Sequence, residues 1–431
     1  MKTEMRWHRF YGALALLTLV VFAVVLSVPR DAAMAAAKPE RLKIAIVQFL
    51  SGAGAPHDAS AVNTAKLLAE KINADGGIDG VKLKLLIVDE AGSTADKVTE
   101  FRRLVQDEKV DAVIGYTSSS HCLAVAPVAD ELKTLTISAI CANYRLFEQG
   151  KYKYMFRTSA HAVSENVSAA LYVLQMKPDL KTIAGLNYDY AYGRDSWEIF
   201  KRTILKLKPD VKVVGELWVK FLAGNYSAEI SKLLSVKPDV IHSVNWGAGL
   251  TALIKQGKTR GLFDKSLVVF TTGLLSQAKA LPKGVAFSGR GYHLQFPDPR
   301  KNPGNRAFLE AYKAKFGKMP DYTGTYMAQA ILGLKAAVER AVRIKGGAWP
   351  TTEEIIAAFE SSGYDTPRGP VFIRADHQAI TDSMWGLTSG KIDPVFGYPV
   401  LEKMRVFPAV QVNTPLGMKT LDWIDSWPSR K

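Results

Sequence analysis

The sequence contains few cysteines and histidines, two residue types that are common in catalytic and metal centres. Its 431 residues include two cysteines and seven histidines, with no H-x-x-x-H or C-x-x-C spacing. Because metal sites need such ligands clustered at short spacing, we expect no metal and no other cofactor. The G-x-S-x-G elbow of many serine hydrolases is also missing. These absences argue against an enzyme.

Positive charge is abundant, but the clustering that nucleic-acid binding requires is missing. The formal net charge is +15 at pH 7, and the lysines and arginines are spread along the chain without a basic run that includes aromatic residues. We therefore expect no nucleic-acid partner. A positive field of this kind favours solubility, and it attracts small anions or an anionic membrane surface.

Long apolar runs are also scarce, and the one that stands out lies near the start of the chain. Lys2, Arg6 and Arg9 precede the uncharged run Tyr11–Val28, and small residues follow as far as Ala37. This pattern predicts a cleavable signal peptide over residues 1–37, with an uncleaved membrane anchor as the alternative. No cysteine lies near the cleavage region and no twin-arginine pair precedes the run. We therefore expect an exported protein without a lipid anchor.

The two cysteines, Cys122 and Cys141, allow a single disulfide. Export would expose them to an oxidising compartment, where such a bridge is stable. Two buried thiols are an equally good interpretation, so the sequence leaves the bridge as a possibility.

From residue 42 onward, short apolar runs alternate with segments of helical periodicity. The first series of predicted strands comprises Leu42–Gln48, Val81–Val88, Val110–Ile114 and Leu135–Ser138. A second series comprises Lys181–Tyr188, Val211–Trp218, Asp239–Asn245 and Ser266–Thr272. Strands alternating with helices predict parallel sheets covered on both faces, here an α/β fold with two Rossmann-like lobes.

The remainder of the chain departs from this alternation. Three helical segments follow residue 300, and Pro370–Arg374 and Asp382–Thr388 are predicted to pair as antiparallel strands. Residues 391–431 are rich in proline and tryptophan without a clear period. We expect them to form a wrapping tail of uncertain order.

The stretch Tyr116–Pro127, YTSSSHCLAVAP, places serine, histidine and cysteine next to one another after a predicted strand. Adjacent side chains at a strand–helix junction point in different directions, so a nucleophile and base pair is disfavoured. Free backbone N–H groups and serine hydroxyls at a helix N-terminus suit a carboxylate better. Capping of the helix by the serines is the simpler alternative, and the two uses are compatible.

The stretch Asn245–Ala252 contains G-x-G-x-x-A between a predicted strand and a helix. This context fits a dinucleotide fingerprint, but no acidic residue ends a strand about 20 residues later. A tight turn explains the glycines more simply. By contrast, Tyr190, Tyr192 and Trp246 fall at strand ends, where open α/β sheets bind ligands, and they favour a pocket over core packing.

In their order, these residues resemble the periplasmic leucine/isoleucine/valine-binding protein family, whose members are receptors for ABC importers. The resemblance extends from Leu42 to Gly390. It rests on the motifs SGAG (51–54), AEKINADGGIDG (69–80), VIGYTSSS (113–120), YMFRT (154–158), DYAYG (189–193), KPDV (237–240), FLEAYKAKFG (308–317) and GPVFIR (369–374).

The resemblance implies a type I periplasmic binding fold, with two αβ lobes joined by three crossovers and the ligand in the cleft between them. It implies a first lobe of residues 38–158 and 286–380, a second lobe of 159–285 and 381–390, and a tail of 391–431. It also implies ligand contacts at equivalent positions. These are Ser118, Ser119, Ser120, Ile140, Cys141, Ala142, Tyr190, Tyr192, Trp246, Leu274 and His57, with Ser118 as the first contact to a ligand carboxylate.

Two positions depart from the amino-acid receptors of that family. Those receptors hold the ligand's α-ammonium with an acidic residue where this chain has Gly273, Leu274 and Leu275. Ala142 also replaces a hydroxyl donor. A buried ammonium without a partner is costly, so the ammonium site is expected to be lost while the carboxylate site remains.

The sequence therefore predicts a monomeric receptor that carries a small carboxylate to an ABC permease. The favoured ligand is an aromatic or other apolar acid without an α-amino group. A branched-chain amino acid is the first alternative, and an accessory or sensory protein of a periplasmic system is the second.

Overall fold

The computed structural model describes residues 37–290 and 300–428. The predicted signal peptide lies outside the described residues apart from Ala37. No helix in the described part of the chain is long and apolar enough to cross a membrane.

The first section of the chain forms a parallel five-stranded sheet in the order β2-β1-β3-β4-β5. Its elements are β1 (Arg41–Gln48), α1 (Ala55–Ala74), β2 (Lys82–Asp89), α2 (Thr94–Gln106), β3 (Ala112–Gly115), α3 (Ser119–Glu131), β4 (Leu135–Ser138), α4 (Arg145–Glu148) and β5 (Met155–Arg157). Ile44, Ala45, Ile46 and Val47 are all fully buried, because helices cover both faces of the sheet.

The second section forms the parallel part of another sheet. Its elements are α5 (Ala162–Met176), β6 (Thr182–Tyr188), α6 (Ala191–Leu207), β7 (Lys212–Val219), α7 (Ser227–Val236), β8 (Val240–Ser243), α8 (Gly247–Thr259), α9 (Leu262–Lys265), β9 (Leu267–Phe270), α10 (Leu275–Ala280) and β10 (Ala286–Phe287). Two apolar clusters lie on the opposite faces of this sheet.

The third section returns to the first lobe and then crosses again. It contains α11 (Pro303–Phe316), α12 (Tyr322–Ile344), α13 (Thr352–Phe359), β11 (Gly363–Thr366), β12 (Gly369–Ile373), β13 (Ala379–Ile380), β14 (Ser383–Ile392), β15 (Pro399–Phe407), α14 (Ala409–Val412) and α15 (Thr420–Asp425). Helices α11 to α13 join the first-lobe core. The chain thus passes between lobes after β5, after β10 and after β13, which gives the two-lobe α/β fold with three crossovers that the sequence predicts.

The predicted pairing of Pro370–Arg374 with Asp382–Thr388 is wrong. Strand β12 pairs with β11 and β13 in a small antiparallel sheet, whereas β14 pairs with β10 and β15. The third crossover separates β13 from β14, so the two predicted partners belong to different lobes.

The residues predicted as a tail contain ordered elements of the second lobe. β15 is the edge strand of the seven-stranded sheet β15-β14-β10-β9-β8-β6-β7. Trp423 and Ile424 of α15 are buried in a second-lobe apolar cluster. The division of the chain at residues 158, 285, 380 and 390 stays a prediction.

Candidate functional site

A small cavity lies between the lobes, beside the carboxyl ends of their parallel strands. It is lined by His57, Thr117, Ser119, Ile140, Ala142, Tyr190, Tyr192, Trp246, Thr272, Arg290 and Tyr322. The volume open to a water-sized sphere is about 10 Å³, roughly the room that one water molecule needs. A larger molecule therefore enters only when the side chains or the lobes move apart.

Most of the residues predicted to contact a ligand meet at this cavity. Ser119, Ile140, Ala142, Tyr190, Tyr192, Trp246 and His57 line it, whereas Ser118, Ser120, Cys141 and Leu274 do not. Leu274 is buried in the first-lobe apolar cluster although it belongs to a second-lobe loop. Four lining residues are not among the ligand contacts predicted from the sequence: Thr117, Thr272, Arg290 and Tyr322.

The prediction that Ser118 makes the first contact with a ligand carboxylate meets an internal competitor. Buried Glu90 accepts hydrogen bonds from the backbone N–H groups of Thr117 and Ser118, each over 2.7 Å. The ring of His121 lies 3.0 Å from the same carboxylate. The next donors, the N–H groups of Ser119 and Ser120 in the first turn of α3, have no acceptor in the described chain. The backbone donors still available to a ligand carboxylate are therefore those of Ser119 and Ser120, rather than that of Ser118.

Burial raises the pKa of Glu90 to about 7, against the opposing effect of the His121 hydrogen bond, and nearby Asp58 raises it further. Because the ordinary value is 4.5, the folded protein binds a proton here more readily than the unfolded chain does. Glu90 alone then makes the folded state less stable as pH rises from about 4.5 to 7. This carboxyl titrates near neutrality and is hydrogen-bonded to Thr117 and Ser118 in residues 117–120, which we term the serine loop.

A second polar network joins the early turn to the first-lobe helix α12. His57 Nδ1 lies 2.6 Å from Asp58 Oδ1, and its Nε2 lies 2.5 Å from the Tyr322 hydroxyl. Asp58 also accepts hydrogen bonds from the Phe49 backbone N–H over 2.9 Å and the Thr117 hydroxyl over 2.8 Å. The carboxylate of Asp58 is therefore fully engaged by the protein.

The residue that the sequence analysis missed with the greatest consequence is Arg290. Its guanidinium is 4% exposed and pairs with buried Glu165, with Nε donating to Oε1 over 2.8 Å. Further hydrogen bonds reach the carbonyl oxygens of Ile140 over 2.5 Å and Ala160 over 3.1 Å. Among the described residues these bonds use three of its five N–H groups, and Arg290 lines the cavity. Burial opposes the charge on Arg290, but Glu165 and the surrounding tyrosines raise its pKa well above the ordinary value.

Arg290 connects the two lobes. Glu165 lies on the second-lobe helix α5, while Ile140 belongs to the first lobe. The backbone of Arg290 has φ 61°, a left-handed conformation that costs a non-glycine residue about 1 kcal/mol or more. The sequence feature that could have indicated this residue is the position of an arginine in the turn FSGR, just after a second-lobe strand.

Aromatic rings form the apolar wall of the cavity. The Trp246 indole N–H donates to the Tyr190 hydroxyl over 2.8 Å, and the ring centroids of His57 and Trp246 are 4.7 Å apart. Tyr192 donates to Glu165 over 2.6 Å. These bonds fix the ring orientations while leaving the aromatic faces as contact surface.

The glycines after β8 serve the turn and its packing. Gly247 has φ 63°, and a Cβ atom at Gly249 would lie 2.0 Å from the Tyr188 hydroxyl and 2.6 Å from the Ala223 carbonyl oxygen. These requirements account for the G-x-G pattern without a nucleotide.

Cys122 and Cys141 are joined as a disulfide in the structure, with their Cα atoms 6.6 Å apart. Cys122 lies in the first helical turn after the serine loop, and Cys141 lies between the lining residues Ile140 and Ala142. The bridge therefore ties together two loops that border the cavity.

Comparison with known proteins identifies the family of the chain. The periplasmic binding protein family model matches residues 41–388. The leucine-specific-binding protein of Salmonella typhimurium is 26% identical over 363 residues, covering 82% of this chain and 91% of that protein. A Pseudomonas aeruginosa amino acid binding protein is 26% identical over 301 residues, covering 68% of this chain and 79% of that protein.

The fold is also similar to that of solved solute-binding proteins. One of them, an R. palustris ABC-transporter solute-binding protein in complex with benzoate, has TM-score 0.72 and 22% identity, covering 84% of this chain and 95% of that one. A leucine-binding protein of Thermotoga maritima has TM-score 0.70 and 20% identity, covering 85% and 99%. The chain therefore belongs to the periplasmic binding protein family, with the type I fold of the leucine/isoleucine/valine-binding receptors of ABC transporters.

Proposed function

We propose that this solute-binding protein receives a small carboxylate that lacks an α-amino group and has an aromatic or other apolar body. It acts as a periplasmic monomer that delivers this ligand to an ABC permease, and it catalyses no reaction. The ligand would bind in the cavity between the lobes.

One observation carries the proposal: the polar groups left open at the cavity are hydrogen-bond donors. Ser119 and Arg290 retain N–H groups, while no described lining residue is aspartate or glutamate. The carboxylates nearest the cavity are already engaged, Glu90 by the serine loop, Asp58 by His57, and Glu165 by Arg290. A ligand carboxylate finds N–H donors here, whereas an α-ammonium would be buried without a lining carboxylate to balance its charge.

The apolar part of the ligand is inferred from the wall opposite these donors. Tyr190, Tyr192 and Trp246 offer ring faces and edges, which suit a flat aromatic ligand. The fold alone does not choose between ligands, since its solved relatives include one with benzoate and one named for leucine. A branched-chain amino acid is therefore the first alternative, favoured by the names of the sequence relatives. A ligand-binding accessory or sensory protein of a periplasmic system is the second.

A ligand screen tests the proposal directly. We expect benzoate and 3-phenylpropanoate to raise the thermal midpoint and to bind with about micromolar affinity by calorimetry. Leucine should give no shift, because its ammonium has no partner. Benzyl alcohol and benzylamine, which keep the ring and lack the carboxylate, are the matched controls. Micromolar binding of leucine without binding of either acid would overturn the proposal.

The pH dependence of binding provides a second test. Carboxylic acids with ordinary pKa values near 4 stay ionised above pH 6, whereas Glu90 gains a proton as pH falls through about 7. Protonation removes a negative charge beneath the serine loop, so benzoate affinity should rise about 3- to 10-fold between pH 8 and pH 6. The neighbouring ionisable groups are His121 on α3 and Asp58 on α1.

Glu90→Gln is the matched variant for this test. It removes the titrating carboxyl and keeps one oxygen to accept from the loop. Calorimetry of benzoate binding at pH 6, 7 and 8 should show the pH dependence in the parent protein and little in the variant. An unchanged slope in Glu90→Gln would assign the effect to another group and contradict the prediction.

A further inference from the structure

A second, larger cavity lies away from the cleft, where the first crossover meets the C-terminal segment. Its volume is about 620 Å³, and its walls come from seven residues within 144–153, from His161, Val163 and Glu360, and from residues 374–378 and 414–420. It shares no lining residue with the cleft cavity. This size falls within the range of small-molecule sites in proteins.

The lining of this cavity, which we term the hinge cavity, includes a buried histidine with a hydrogen-bond donor that has no acceptor in the described chain. His161 is 3% exposed, and its Nδ1 accepts the backbone N–H of Val163 over 3.4 Å. Burial lowers the pKa of His161 well below its ordinary value, and Arg157, Arg374 and Arg290 lower it further. The neutral ring therefore carries its proton on Nε2. Asn413 is a polar neighbour of the ring, yet Nε2 makes no hydrogen bond within the described chain.

The charges around the hinge cavity leave a positive excess. The lining has four basic side chains, Lys151, Lys153, Arg374 and Lys419, and three carboxylates, which is a formal excess of one positive charge. All three carboxylates are hydrogen-bonded, Glu148 to Thr420, Glu360 to His377, and Asp376 to Arg374. The lining lysines Lys151, Lys153 and Lys419 have no ion-pair partner among residues 37–290 and 300–428. An anion entering this cavity meets unpaired ammonium groups and a buried N–H donor.

Apolar side chains complete the walls. Tyr144 and Phe147 line the first-lobe side, and Leu416 and Met418 line the C-terminal side. Leu416 is 55% exposed and Met418 41% exposed, which is unusual for large apolar side chains beside a cavity and points to a contact surface. The combination fits a ligand with an anionic head and an apolar body.

We propose that the hinge cavity is a second binding site, specific for an amphipathic organic monoanion such as a carboxylate with an aliphatic body. The carboxylate accepts from His161 Nε2 and lies among the lysines, and the apolar body packs against Leu416 and Met418. The site does not depend on the function proposed for the cleft. Its occupant would contact both a lobe-connecting segment and the C-terminal segment.

Photoaffinity labelling with a diazirine derivative of octanoate locates the binding directly. After irradiation and proteolysis, we expect saturable labelling of peptides covering residues 144–153 and 414–420, with excess octanoate as competitor. Labelling confined to peptides with Tyr190, Tyr192 or Trp246 would overturn the proposal, as would labelling scattered over the surface. Because the readout is position, it is independent of whether the cleft binds an aromatic acid.

Substitutions at the hinge cavity test how it recognises octanoate. Calorimetry with octanoate should show at least a 10-fold loss of affinity in Lys153→Glu/Lys419→Glu, and about a 5-fold loss in His161→Asn. Asparagine retains a helix-capping oxygen and lacks the Nε2 donor of histidine. The control is Lys232→Glu, which changes an exposed lysine on α7 without an ion-pair partner among the described residues and should bind octanoate normally. Equal binding of 1-octanol, or unchanged affinity in the double variant, would contradict anion recognition.

Discussion

Replacing Arg290 by leucine is expected to lower the free energy of unfolding by about 3–5 kcal/mol. The substitution leaves Glu165 fully buried, with the Tyr192 hydroxyl as its remaining hydrogen-bond donor in the described chain. A buried carboxylate that loses its cation keeps its desolvation cost and loses the attraction that offset it. Urea unfolding followed by circular dichroism at pH 7 measures the change.

A second variant separates this charge effect from the loss of packing. In Arg290→Leu/Glu165→Gln the uncompensated charge is absent, so a large part of the lost stability should return. The exposed pair Arg306–Glu310 on α11 is the control, and Arg306→Leu should change the free energy of unfolding by about 0.5 kcal/mol or less. Equal destabilisation of the single and double variants would mean that packing, rather than the buried charge, accounts for the effect.

Arg290 also shows where inference from the sequence reaches its limit. Periodicity located the strands and helices of both lobes, because each depends on residues close together in the chain. The same reasoning placed Tyr190, Tyr192 and Trp246 at strand ends, and the structure brings them to one cavity. The pair Arg290–Glu165 joins residues 125 positions apart, and nothing in the local pattern of either residue indicates the other.

The serine loop illustrates a related limit. The sequence predicted the position of this loop before α3. It did not indicate which group accepts hydrogen bonds from the N–H groups of the loop. Glu90 follows the edge strand β2 and reaches Thr117 and Ser118 across the sheet, a long-range contact that displaces the open donors to Ser119. The predicted antiparallel pairing of Pro370–Arg374 with Asp382–Thr388 is wrong for a comparable reason. The composition of the sequence between β13 and β14 does not indicate that the chain crosses from one lobe to the other there.

Breaking the disulfide between Cys122 and Cys141 is expected to lower the free energy of unfolding by about 3 kcal/mol. The bridge closes a loop of 19 residues, and the chain-entropy estimate for a loop of that length is about 3 kcal/mol. Both cysteines are fully buried, so reduction is measured most cleanly during unfolding. Urea titrations with and without reductant should separate clearly, and mass spectrometry of the unfolded chain should show the gain of two hydrogens.

Removing the disulfide by substitution should also weaken ligand binding, because the bridge holds two loops that border the cleft cavity. In Cys122→Ser/Cys141→Ser, Ser119 on one side and Ile140 and Ala142 on the other lose their covalent link. Ordering these loops then becomes a cost of binding, and we expect benzoate affinity to fall about 5- to 10-fold. The variant is its own control, since reductant should change neither its unfolding curve nor its affinity. Superimposable unfolding curves of the parent protein with and without reductant would contradict a stabilising bridge. Unchanged affinity in the variant would mean that hydrogen bonds, such as those that Arg290 donates and those that Glu90 accepts, suffice to hold the loops.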